Sequence, residues 1–191
     1  MTTMILRANV SGQPTGWIGW KEAVLLYARE QVVWTLGEEP LRVYGGFNRI
    51  RNERSYMDVH PIVGVKGILG RSRYETVPPL TNRELFRRDR HTCMYCLAPL
   101  ADRHLTRDHV LPLSRGGDNE WTNVVTACKQ CNQRKANRLL KETDMHLHAV
   151  PYAPNYAEWL ILRNRNILAD QMEFLKAQCP KQRRDHLSYR K

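Results

Sequence analysis

The chain has 191 residues, enough for one domain or a small core with extensions, and its 42% apolar content supplies the side chains such a core needs. No apolar run approaches the ~18–20 residues that cross a bilayer, and the opening MTTMILRANVSGQPTG lacks the basic-then-apolar order of a signal peptide, so a cytoplasmic protein without a membrane partner is expected. The formal charge of +11 is concentrated: residues 81–140 carry 11 Lys or Arg against 6 Asp or Glu, and residues 176–191 carry 6 against 1. Charge placed this way favours a polyanionic partner, nucleic acid before anionic membrane.

Residues 1–16 read as irregular, with Gly12, Pro14 and Gly16 as breakers. Residues 20–31, WKEAVLLYAREQ, read as a helix with Ala23, Val24, Tyr27 and Ala28 on its apolar face. Residues 32–36 and 41–44 flank Gly37-Glu38-Glu39-Pro40 and read as a hairpin. Residues 45–80 are mixed, with a short apolar run at 61–65 and a break at Val77-Pro78-Pro79. Segment 1–80 is therefore taken as a small α+β segment without a legible role, its Trp17, Trp20 and Trp34 belonging to a core.

Thr81 is placed to cap a helix over 82–90, with Glu84 at the capping-box position. Leu85 and Phe86 would face inward, and Arg83, Arg87, Arg88 and Arg90 outward. Residues 156–176 form a further helical candidate, with Leu160, Ile161, Ile167, Leu168, Met172 and Leu175 on a broad apolar face. The stretch KQRRDHLSYRK after Pro180 reads as a mobile basic tail, and Cys179 as an ordinary free thiol in polar surroundings. No internal repeat is evident. The expected division is 1–80, 81–140 and 141–191.

Four of the five cysteines form two pairs, Cys93-Met94-Tyr95-Cys96 and Cys128-Lys129-Gln130-Cys131. Two residues between thiolates let both sulfurs converge on one ion. Without an export signal, such pairs read as a metal site rather than a disulfide framework. Four thiolates complete a tetrahedral Zn²⁺ shell and leave no open position, so this zinc would be structural.

Between the pairs, 104–110 reads as a strand, 114–119 as a Gly-rich loop, 123–127 as a second strand, and 131–139 as a helix. This is a ββα unit stapled at its ends by the cysteines. Phosphodiester hydrolysis needs a base to activate water, a hard cation to offset developing charge, and donors to hold the phosphate. Asp108 offers an anionic oxygen suited to Mg²⁺ or Mn²⁺, and Asn132 can bring an amide oxygen to the same ion. An imidazole, which ordinarily titrates near neutral pH, is suited to accept a proton from water, and His109 supplies one. Neighbours on a regular strand point to opposite sides, so Asp108 and His109 can share a site only where the strand bends or ends. Asn123 can tie the loop together and orient His109. Arg83, Arg87, Arg88, Arg115, Arg134, Lys135 and Arg138 are candidate phosphate contacts.

The order C-x-x-C, D-H-V-L-P-L-S-R-G-G, N-V-V, C-x-x-C-N-x-R-K over residues 93–135 resembles the HNH endonucleases, or ββα-metal nucleases. The resemblance implies an α+β fold with a ββα-metal core, His109 as general base, Asn123 supporting the active-site loop, and Asp108 as a metal ligand. The third letter falls on Asn132 instead of His, an H-N-N variant that keeps an oxygen ligand. The implied activity is DNA cleavage with one Mg²⁺ or Mn²⁺, leaving 3′-hydroxyl and 5′-phosphate ends. Two alternatives stand beside it: a non-catalytic zinc-finger DNA-binding protein of the same fold, and an RNA-directed nuclease. No dimer motif is evident, although recognition of two half-sites would suit a homodimer.

Overall fold

Ile5 and Leu6 set the layout by burying on opposite faces of one strand. In chain order the computed structural model, which describes residues 4–67 and 77–184, runs β1 (Ile5–Asn9), β2 (Pro14–Ile18), α1 (Trp20–Ala28), β3 (Val32–Leu36), β4 (Leu41–Asn48), β5 (Glu53–Val59) and β6 (Ile62–Val65). It continues through α2 (Asn82–Arg88), β7 (Leu105–His109), β8 (Val124–Cys128), α3 (Lys129–Lys135), α4 (Tyr156–Arg163) and α5 (Ala169–Ala177). The fold is α+β. No described helix is long and apolar enough to cross a membrane.

The chain divides into two units, Met1–Thr76 with Tyr156–Lys191, and Val77–Asn155. Three consecutive segments do not describe this grouping, because α4 and α5 pack with the N-terminal sheet. That sheet has the order β2-β1-β6-β3. β1 pairs antiparallel with β2 and parallel with β6, and β3 pairs antiparallel with β6. On one face Leu6 and Ile62 meet Tyr156, Ala157, Leu160, Ile161 and Leu175. On the other, Ile5, Ile18, Val63 and Val65 meet Ala23 of α1 and Val59 of β5. β6 is buried along its whole length because it is covered on both faces.

Several expectations are corrected here. Residues 5–9 and 14–16 are not irregular but lie in β1 and β2: of the breakers, Gly12 sits in the turn between them with φ +82°, where Asn9 Oδ1 accepts from the backbone N–H of Ser11 and Gln13, while Pro14 and Gly16 belong to β2. The hairpin expected over 32–44 does not form, since β3 pairs with β6 and β4 with β5. The central strand takes β3 because Gly64, opposite Trp34, has no side chain to displace the indole; a Cβ there would lie 2.0 Å from the ring. The helix expected over 156–176 is two helices. Asn164 Oδ1 accepts from the Asn166 N–H at 3.1 Å, a local bond that competes with helical pairing. Cys179 is buried in the α4–α5 core, its thiol pushed up to about 12, first by burial and then by the charge of Glu158. The tail begins as a short turn, with Arg183 paired to Glu158 at 2.8 Å, and 185–191 lie outside the described residues.

The second unit is built on the antiparallel pair β7–β8, in unbroken register from Leu105↔Cys128 to His109↔Val124. Helix α2 is fixed to it by Arg88. The guanidinium pairs with Asp89 at 2.8 Å and donates to the carbonyls of Trp121, Val124 and Tyr152 at 2.8–3.0 Å. Asp89 in turn accepts the Thr126 N–H at 2.7 Å. Arg87 is buried as well, so the expectation of an outward-facing Arg87 and Arg88 is corrected: α2 is short and covered on more than its apolar stripe. Nor does Thr81 cap the backbone; its hydroxyl contacts the Glu84 carboxylate instead.

Arg88→Ala would leave Asp89 and three carbonyls buried without their donor. It should destabilise the unit by about 3–5 kcal/mol in denaturant titration. Arg83→Ala, at an exposed position of the same helix, should stay within about 0.5 kcal/mol. A small loss at Arg88 comparable to that at Arg83 would contradict the clamp.

Candidate active site

The four cysteines come together although the pairs lie far apart in sequence. Their sulfurs all fall within 4.8 Å of one another. Cys93-Met94-Tyr95-Cys96 turns back on itself, with Leu97 N–H donating to the Cys93 carbonyl at 2.9 Å and Cys93 N–H to the Ala98 carbonyl at 3.0 Å. Cys128 ends β8 and caps α3, its Sγ accepting the Cys131 N–H at 3.3 Å. Met94, Tyr95, Val125, Ala127 and Met145 back the cluster with apolar side chains. This donor set could bind one zinc ion with no position left for substrate.

From that cluster α3 runs along β7. Asn132 and Lys135 are three residues apart and share the face turned to the strand. Asn132 Nδ2 donates to Thr106 Oγ1 at 2.9 Å and to the Arg107 carbonyl at 3.2 Å, which leaves its Oδ1 on the opposite side of the amide. Lys135 is fully buried, with Nζ 2.6 Å from the His109 carbonyl and 3.2 Å from Asp108 Oδ2. Tyr95 donates its hydroxyl to Asp108 Oδ2 at 2.5 Å. Burial, and then the Asp108 carboxylate, push the Tyr95 hydroxyl far above its usual range, so it remains a neutral donor. Asp108 therefore sits in the interior with its charge offset by an ammonium.

His109 is the last residue of β7 and faces the other way. Its Nε2 lies 3.1 Å from Asn119 Oδ1, which also accepts from Arg107 Nη1 at 2.9 Å. A guanidinium can only donate, so it fixes the amide oxygen toward itself and toward the imidazole. Nε2 must then carry the proton in the neutral ring, and Nδ1 is left as the basic nitrogen. This tautomer follows from the network. The two neighbours meet again at the strand's end, since Asp108 and His109 border one cleft of about 280 Å³ together with Asn132, Pro112 and Ser114.

Asn123 closes the loop that follows β7. Its Oδ1 accepts the Leu111 N–H at 2.8 Å, and its Nδ2 donates to the carbonyls of Leu111 and Asp118 at 2.9 and 2.8 Å. Gly117 passes so close that a Cβ would lie 1.9 Å from the Leu111 carbonyl oxygen. The hydrogen bonds of the Asn123 side chain go to Leu111 and Asp118, and the His109 ring bonds to Asn119. Asn119 lies in what reads only as a polar loop, and nothing in the sequence pairs it with residues 107 and 109. Tyr95 likewise reads as a spacer between cysteines.

The basic residues divide. Arg83, Arg115, Arg134 and Arg138 are exposed, with Arg115 paired to Glu142 and Arg134 to Asp144 at 2.8 and 2.5 Å. Arg87, Arg88 and Lys135 are buried, which corrects their reading as phosphate contacts. Arg88 and Lys135 have donors directed to internal carbonyls and carboxylates.

The sulfur cluster makes a direct prediction. Elemental analysis should return one zinc per chain, and Cys128→Ser should lose that ion together with the cap of α3. Zinc binding of this kind contributes on the order of 10 kcal/mol, so the variant should fail to fold its second unit. Purified protein without bound metal that keeps a cooperative transition would overturn the assignment.

Residues 93–148 match the model of a family described as HNH endonuclease. No curated protein matches the chain. The match takes in the sulfur cluster, both strands of the β7–β8 pair and α3, and by it the segment 93–148 carries the pattern of the HNH endonucleases.

Proposed function

We propose that this protein is a metal-dependent endonuclease that hydrolyses DNA phosphodiester bonds, with His109 as the general base. The observation that carries the reading is the His109 network. Arg107 orients Asn119, Asn119 holds Nε2–H, and the remaining nitrogen of the ring is free to take a proton from water beside a cleft bordered by oxygen donors. Asn123 and Gly117 keep the loop that carries Asn119 closed.

Asp108 and Asn132 would hold Mg²⁺ or Mn²⁺. Both supply hard oxygen, both border the cleft, and Asn132 Oδ1 accepts no bond among the described residues. When bound, the cation would offset charge on the phosphate and the leaving oxygen. Lys135 already neutralises the Asp108 carboxylate, so the negative charge that retains a divalent ion would come largely from the substrate phosphate. Ion and nucleic acid should therefore bind more tightly together than either does alone. Arg83, Arg115, Arg134 and Arg138 remain as phosphate contacts, and zinc on the four cysteines braces the unit. Attack by water would leave 3′-hydroxyl and 5′-phosphate ends.

A second reading, a zinc-braced DNA-binding unit without catalysis, is favoured by one observation: both Asp108 oxygens already have partners in Tyr95 and Lys135. The test is incubation of purified protein with supercoiled plasmid, linear duplex, single-stranded DNA and RNA, in Mg²⁺, in Mn²⁺ or in EDTA. The proposal expects DNA cleavage in either divalent metal and none in EDTA. DNA binding without cleavage in any metal would favour the second reading, and cleavage of RNA alone would reassign the substrate.

A further inference from the structure

The antiparallel ribbon β4–β5 has two unlike faces. Val43, Met57 and Val59 turn inward and pack on the core with Val63 and Val65. The register pairs Arg42 with Asp58, Tyr44 with Tyr56 and Phe47 with Arg54, so these six residues share the opposite face. An outward ribbon face is ordinarily polar. Here Tyr44, Phe47 and Tyr56 are each 59% exposed. The Arg42 guanidinium lies 4.2 Å from the Tyr56 ring centroid, and that of Arg54 lies 6.0 Å from Tyr44. Rings and planar cations thus alternate across a solvent-facing surface.

The geometry points to this face as a stacking platform for the unpaired bases of single-stranded DNA. Three observations select that partner. Val43, Met57 and Val59 are spent on the core, and the face opposite them presents aromatic and guanidinium planes, the groups on which bases stack. Residues 41–59 carry four arginines against two acids, a balance complementary to a polyanion. Half of that positive charge is tied up, Arg42 with Asp58 at 2.8 Å and Arg51 with Glu53 at 3.9 Å. Arg42 and Arg54, the two arginines of the ringed face, are held by the Asp58 carboxylate and the Gly45 carbonyl, which keeps their planes beside the rings. The choice of DNA over RNA rests on the nuclease reading above; the stacking face itself does not.

The test measures binding of the full chain to a labelled oligothymidylate, to a duplex of the same length and to the RNA counterpart, by fluorescence anisotropy without added Mg²⁺. Stacking one base on one ring contributes about 1–3 kcal/mol, so Tyr44→Ala and Tyr56→Ala should each weaken oligothymidylate binding roughly five- to a hundredfold. Duplex binding should change less, and Tyr44→Phe and Tyr56→Phe, which keep the ring, should bind as the wild type does. Unchanged affinity in the Ala variants, equal losses for single strand and duplex, preference for RNA, or a change of oligomeric state in the Ala variants would each overturn the inference. Cleavage is scored separately in Mg²⁺. A wild type that stacks oligothymidylate but cuts nothing loses the nuclease reading and keeps this one; a nuclease indifferent to both Ala changes does the reverse.

Discussion

The requirement that four sulfurs meet governs the geometry of the second unit. Cys128 closes β8 and caps α3 in the same residue, so the cluster sets both where the helix starts and which way it is turned. Asn132 follows Cys131 directly, and Lys135 lies one turn further on. Fixing the phase of the first turn therefore aims both side chains at β7. Shifting the β7–β8 register by one residue would exchange Asp108 with His109 across the pair, burying the imidazole and exposing the carboxylate. The cluster, the register and Arg88 together exclude that alternative.

Within this frame the two sides of β7 have separate tasks. On the inner side Asp108, Tyr95 and Lys135 form a buried set in which the carboxylate meets an ammonium and a hydroxyl donor. On the outer side Arg107, Asn119 and His109 form a row in which each member fixes the next. Lys135 joins the sides, since its ammonium reaches both the Asp108 carboxylate and the His109 carbonyl.

Much of the site can be read from sequence because its chemistry depends on residue types at short spacings. The paired cysteines, Asp108-His109, Gly116-Gly117 and Cys131-Asn132 all lie within local motifs, and the ββα order follows from strand alternation and a capped helix. What stays hidden is long-range. Asn119 gains its role only when the loop folds back beside residue 107. Lys135 reads as a surface cation until α3 is docked. The first unit is harder still: β1 and β2 are obscured by Gly12, which marks the turn between them, and by Pro14 and Gly16, which lie within β2. β3 finds its partner in β6 across the whole β4–β5 ribbon, and the sheet is completed by helices from the far end of the chain.

The proposed mechanism stands on the imidazole of His109, and replacing that side chain tests it most directly. Single-turnover cleavage of duplex DNA in saturating Mg²⁺ should fall about 10²–10⁴-fold in His109→Ala, with zinc content and DNA affinity equal to those of the wild type. A variant that holds its zinc, binds DNA and cleaves at the wild-type rate would contradict the assignment of His109 as the base.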